Sequence, residues 1–143
     1  MADSTSALCA AAEQGHLPLA TMLLEHGAHV SGTAALPGAA GRGHLDMVRF
    51  LLERGAAVDE VGVHDFGDRR KKIHEGTALH KAAERGDVEM ARVLLDRGAG
   101  IEVRDPFDRT PLVRAKEKGQ DEMAEFLKSR GARDSPATSQ SHQ

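Results

Sequence analysis

The chain has 143 residues, 40% of them hydrophobic and 29% charged, with 19 basic against 22 acidic side chains for a net charge of −3. That balance excludes a disordered chain and a general nucleic-acid binder, and no apolar run approaches the roughly 20 residues that a membrane helix needs. Its core must also be built almost without aromatic rings, because there is no Trp, no Tyr and only four Phe.

The opening Met1-Ala-Asp-Ser-Thr lacks the basic and apolar stretches of a secretory signal. The single cysteine, Cys9, excludes an intramolecular disulfide or a multi-cysteine zinc site. A free thiol fits a reducing compartment. The expectation is a cytoplasmic chain, with the nucleus as a second compartment.

Self-similarity then organises the whole sequence. A first unit, at about 4–30, carries Ala11-Ala12-Glu13-Gln14-Gly15-His16-Leu17 followed by Leu23-Leu24-Glu25-His26-Gly27-Ala28. The second, at about 31–59, repeats this as Ala39-Ala40-Gly41-Arg42-Gly43-His44-Leu45 and Leu51-Leu52-Glu53-Arg54-Gly55-Ala56. Its first helix is the weakest predicted, since Gly38 costs about 1 kcal/mol relative to Ala and Pro37 suits only a first turn. This unit is therefore expected to be the least stable. Ala34 stands only 7 positions after Gly27, which predicts a tight turn around Ser31-Gly32, whereas Thr77 stands 22 positions after Gly55. The added segment, at about 60–74, is a predicted finger containing Phe66 and the basic run Arg69, Arg70, Lys71 and Lys72.

The third unit, at about 75–104, has Ala82-Ala83-Glu84-Arg85-Gly86-Asp87-Val88 and Leu94-Leu95-Asp96-Arg97-Gly98-Ala99. Its apolar residues at Val88, Met90, Ala91, Val93, Leu94 and Leu95 form a broad helical stripe. The fourth, at about 105–132, has Ala115-Lys116-Glu117-Lys118-Gly119-Gln120-Asp121 and Leu127-Lys128-Ser129-Arg130-Gly131-Ala132. Lys116, Asp121 and Lys128 replace apolar residues of the earlier units, as suits a terminal repeat. A polar tail at 133–143 is expected to be disordered. Each unit reads as two short helices closed by glycines. Such helices are marginal alone and stable only when stacked.

Gly76-Thr77-Ala78-Leu79-His80-Lys81-Ala82-Ala83 and Thr110-Pro111-Leu112, in register with the glycine phrases, resemble the ankyrin repeat family. The resemblance implies an all-α solenoid of four stacked helix-turn-helix repeats with finger loops, one domain over 1–132. It also implies a Thr–His hydrogen-bonded link at the helix start, for which only the third unit has both residues, Thr77 and His80. The other units depart from the motif with Ser6 and Cys9, Ala34 and Pro37, and Thr110 and Val113.

Family members usually bind partners through finger loops and the open face of the first helices. By position, that surface includes Glu13, Gln14, Arg42, Lys81, Glu84, Arg85, Arg114, Glu117 and Lys118. Of the four Phe, Phe50 and Phe126 fall on apolar stripes and read as core, while Phe66 and Phe107 fall on fingers. Phe107 and Arg109, within Asp105-Pro106-Phe107-Asp108-Arg109, are the predicted anchors for a protein partner. Arg69 to Lys72 would add steering that weakens in salt.

No catalytic constellation, phosphate loop or cofactor motif occurs, so no enzyme activity, no cofactor and no metal are expected. His26 and His29 are spaced H-x-x-H but have no second ligand pair. The expected function is a monomeric protein-interaction module or adaptor. Two alternatives stand beside it: an inhibitor resembling the four-repeat ankyrin inhibitors of cyclin-dependent kinases, and a nucleic-acid or phosphoinositide binder acting through 69–72. Repeat spacings of 28, 43 and 33 residues, from Gly15 to Gly119, argue against a consensus scaffold.

Overall fold

Leu8, Leu36, Leu79 and Leu112 hold the same place in four successive short helices, and all four are withdrawn from solvent. They mark the spine of the stack. The computed structural model describes residues 4–30, 35–60, 63–64, 73–74, 76–105 and 107–133. Among these, the first helices are α1 (Ser4–Gln14), α3 (Ala35–Gly41), α5 (Ala78–Arg85) and α7 (Pro111–Glu117). The second helices are α2 (Leu17–Glu25), α4 (Leu45–Glu53), α6 (Val88–Asp96) and α8 (Asp121–Ser129). The described chain is thus an all-α repeat solenoid, as the glycine-punctuated phrases imply.

Alanine explains the layering. Ala11, Ala12, Ala39, Ala40, Ala82, Ala83 and Ala115 are buried along the first helices, and such small side chains let α1, α3, α5 and α7 pack directly on one another. Second helices meet far less. A tight layer beside a looser one curves the stack, with the first helices on the inside. Gly38 belongs to this tight layer: a Cβ there would stand 3.0 Å from Glu13 Cγ. Its unfavourable propensity therefore accompanies a close approach of α3 to α1. Pro37 lies in the first turn of α3, where its missing N–H has no intrahelical role.

Met47, Met90 and Met123 occupy one position in α4, α6 and α8 and are fully buried. The equivalent Leu19 of α2 is only partly buried, because no described repeat precedes it. At the other end Lys116, Asp121 and Lys128 are exposed, as a terminal repeat requires. Phe50 and Phe126 differ from expectation. Both are only half-buried against the core, and cations cover their outer faces: Arg54 stands 4.9 Å from the Phe50 ring, and Arg92 and Arg130 stand 5.8 Å from Phe126. The apolar stripe is wider than the buried face, so its edge positions need a guanidinium cover instead of a neighbouring helix.

Polar ties join successive repeats, those of the first-helix layer ending on equivalent carbonyls. Arg85 Nη1 donates to the Gly41 carbonyl at 3.3 Å, and Gln120 Nε2 donates to the Glu84 carbonyl at 2.9 Å. These are helix-end carbonyls, which lack an intrahelical partner. On the second-helix side, the Gly100 N–H donates to the Asp59 carboxylate at 3.0 Å, and the Arg133 N–H donates to Glu102 Oε2 at 2.9 Å. Gly86 shows why such joints constrain the sequence. It has φ +72°, and a Cβ there would collide with the Gln120 side chain.

The long finger begins and ends as a two-residue antiparallel ladder, β1 (Val63–His64) with β2 (Ile73–His74), Val63 facing His74 and His64 facing Ile73. Phe66, Arg69, Arg70, Lys71 and Lys72 lie outside the described residues, as do Ser31-Gly32, Ala34 and the tail from 134. No described helix is long and apolar enough to cross a membrane.

Candidate functional site

The finger between the third and fourth repeats is organised by one carboxylate. Asp105 Oδ1 accepts the backbone N–H groups of Phe107 at 2.9 Å and Arg109 at 2.8 Å, closing the tip. Its Oδ2 accepts Nε of Arg109 and Nε of Arg114, both at 2.9 Å. Arg114 continues to Glu84 at 2.8 Å, and Arg109 to Glu117 at 2.8 Å. Two arginines and three acids thus brace the finger against α5 and α7. Burial alone would raise the Asp105 carboxyl, but the Arg109 N–H, the Arg114 guanidinium and the Arg109 side chain outweigh it and hold it below its ordinary value. Arg109, whose burial opposes its charge, is nevertheless raised by Glu117 and Asp105.

A second tie reaches across from α5. Thr77 caps this helix, and its own N–H donates to His80 Nδ1 at 3.1 Å. With Nδ1 accepting, the proton sits on Nε2, which donates to the Arg109 carbonyl at 2.8 Å. The Thr–His link implied by the family resemblance is present, and the same ring fastens the next repeat's finger. Burial is the main cause that lowers the His80 pKa below 6.5, aided by the Arg114 charge.

What this bracing presents to solvent is Phe107, 72% exposed at the tip. Arg109 Cζ lies 5.1 Å from the ring centroid, so the ring is supported from one side. Asp108, beside it, has φ +64°, a left-handed conformation unfavourable for a residue with a Cβ. Its carboxylate contributes only an exposed pair with Arg104 at 3.3 Å. Asp108→Gly is therefore expected to raise unfolding stability by about 1 kcal/mol, measured by urea denaturation.

The remaining sequence candidates separate by burial. Arg85, Glu117 and Lys118 are exposed, as are Gln14 and Arg42. Lys81 and Glu84 are half-buried in α5, as is Glu13 in α1. Arg114 is corrected: its side chain is only 3% exposed, held inward by Asp105 and Glu84, so it lies inside the fourth repeat and not on its open face. Arg109 is half-buried and engaged on both sides, which makes it a brace for the finger more than a free contact. Sequence reasoning missed Asp105 and Gln120. The signal for Asp105 was its place five residues before Thr110, from which its carboxylate reaches the turn behind the next helix start.

A shallow cleft at the starts of α2 and α4 is lined by Gly15, Leu17, Gly43 and residues 44–47. It holds one titratable ring, His44, and one carboxylate, Asp46, without a nucleophile beside them. Among the described residues, no group of three His, Cys, Asp or Glu side chains could hold a metal ion.

A family model described as ankyrin repeats, three copies, matches residues 2–62 and residues 61–136. No curated protein matches the chain.

Proposed function

Because the chain belongs to the ankyrin repeat family, whose repeats generally mediate protein–protein interaction, we propose that it is a non-catalytic docking module binding a partner protein through the Phe107 finger and the open side of its first helices. The observation that carries this reading is the exposed Phe107 ring on a tip closed by the Asp105 carboxylate. A large aromatic side chain fixed before binding loses little freedom on contact, which is the property of an anchor. Arg109 and Arg114 act beneath it by holding the finger's shape. Arg85 and Lys118 extend the surface along the inner layer.

Phe107 makes no core contact, so Phe107→Ala is expected to leave the melting temperature unchanged while removing at least one protein that the wild-type chain captures from cell extract. The comparison is a quantitative one of captured proteins, with both chains immobilised at equal density. Identical captured sets would overturn the proposed face.

A further inference from the structure

Two basic rows run along the stack, each one residue before the glycines that close the helices. Arg42, Arg85 and Lys118 end the first helices α3, α5 and α7, and Arg54, Arg97 and Arg130 end the second helices α4, α6 and α8. Helix dipoles favour cations at all six places. The rows differ in what their charges touch. In the second-helix row, Arg97 reaches Glu53 at 3.9 Å, Arg130 reaches Asp96 at 3.0 Å, and Arg54 covers the Phe50 ring. That row is engaged in holding repeats together.

The first-helix row keeps more of its charge available. Arg42 meets Glu13 at 3.7 Å and Arg85 gives one N–H to the Gly41 carbonyl; among the described residues Arg85 meets no carboxylate and the Lys118 ammonium has no partner. The acids nearest in sequence, Glu84 and Glu117, are engaged by Arg114 and Arg109. All three cations are exposed on the inner layer.

We propose that Arg42, Arg85 and Lys118 form a track for an extended acidic peptide segment of the partner, with one carboxylate about every three residues. This deepens, and rests on, the protein-docking reading above. Adjacent helices in a packed layer lie roughly 8–10 Å apart, and an extended chain in the polyproline-II conformation advances about 3.1 Å per residue with three residues per turn, which returns every third side chain to the same face. Three residues therefore span one repeat. Glu13, Glu84 and Glu117 stand one residue before three of the closing glycines' neighbours, forming an acidic row beside the basic one. A ligand with densely spaced charge, such as a nucleic acid, would leave phosphates facing those glutamates, which Arg42, Arg114 and Arg109 already match, with no cation of their own. A peptide with spaced carboxylates avoids them.

The test is an NMR titration of the full chain, at low salt, with a capped peptide of four Glu-Ala-Ser triplets. Comparison ligands are a peptide of the same composition with its four Glu contiguous, and a twelve-residue oligothymidylate. The spaced peptide is expected to shift the amides of Gly43, Gly86 and Gly119, to bind about threefold more tightly than the contiguous one, and to be released by about 0.5 M salt. A triple variant, R42Q, R85Q and K118Q, should weaken binding about tenfold with its helical circular dichroism retained. Lys118→Gln alone, at a side chain that supports nothing else described, should weaken it about twofold. Absence of shifts, shifts confined to α4, α6 and α8, equal binding of the two peptides, or tighter binding of the oligothymidylate would each overturn the track. If capture depends on Phe107 while the peptide fails to bind, the track falls and the docking reading stands; if the peptide binds the row while capture ignores Phe107, the finger is lost and the track stands.

Discussion

Replacing Asp105 with alanine is expected to cost about 4 kcal/mol of unfolding stability, the largest loss of any single polar substitution in the described chain. The reason lies in what stays behind. Arg114 is buried at 3% exposure and would lose the carboxylate that faces its Nε at 2.9 Å, leaving a charged group withdrawn from water with Glu84 as its remaining partner. The backbone N–H groups of Phe107 and Arg109 would lose their acceptor in the same step. Arg114→Leu should cost less, roughly 1–2 kcal/mol, since Asp105 keeps two backbone donors and Arg109. The double variant should then be less damaged than the sum of the singles. Urea denaturation of the three variants checks this order, and equal losses for the two single variants would contradict it.

His80→Ala should lower stability by about 3 kcal/mol, combining an unfilled core position with an orphaned Thr77 N–H and Arg109 carbonyl. The wild-type ring also makes stability depend on pH. Folding holds its pKa below the ordinary 6.5, chiefly through burial, so the unfolded chain binds the extra proton first. The contribution of neutral His80 is therefore complete above about pH 6.5 and is lost as pH falls below it. Asp105 acts in the same direction at lower pH: its depressed carboxyl contributes stability above 3.8 that is lost as pH falls through the folded value. Melting curves of wild type and His80→Gln between pH 7.5 and 5 should converge on acidification.

Much of this arrangement was legible in local sequence. The Ala-Ala phrase, the closing glycine and the Leu-Leu phrase each report on one helix and its end, so four repeats could be placed without knowing what lay beside them. The family resemblance likewise implied a link at the helix start between Thr77 and His80. Its second half, the bond from Nε2 to Arg109, spans 29 residues and depends on how two repeats meet. Arg114 illustrates the same limit. A charged side chain at an open-face position reads as solvated, and only the fold brings Asp105, nine residues earlier, and Glu84, thirty residues earlier, to either end of its guanidinium. Gly38 was legible as a helix weakness but not as a contact, since the atom it makes room for belongs to α1.

The first-helix layer stays continuous from α3 to α5 even though the chain between the repeats is longer there than anywhere else. Measured from the closing glycine to the next threonine, the connection is 22 residues at this joint and 12 at the following one. For a flexible connection the difference in closure entropy is only roughly 0.5 kcal/mol, because the cost rises with the logarithm of length. Finger length is thus nearly independent of the stability of the stack. A lineage carrying this architecture can lengthen, shorten or rewrite a finger while the alanine-lined layer beneath it keeps its register, so the parts that meet partners are free to change at a different pace from the parts that hold the fold.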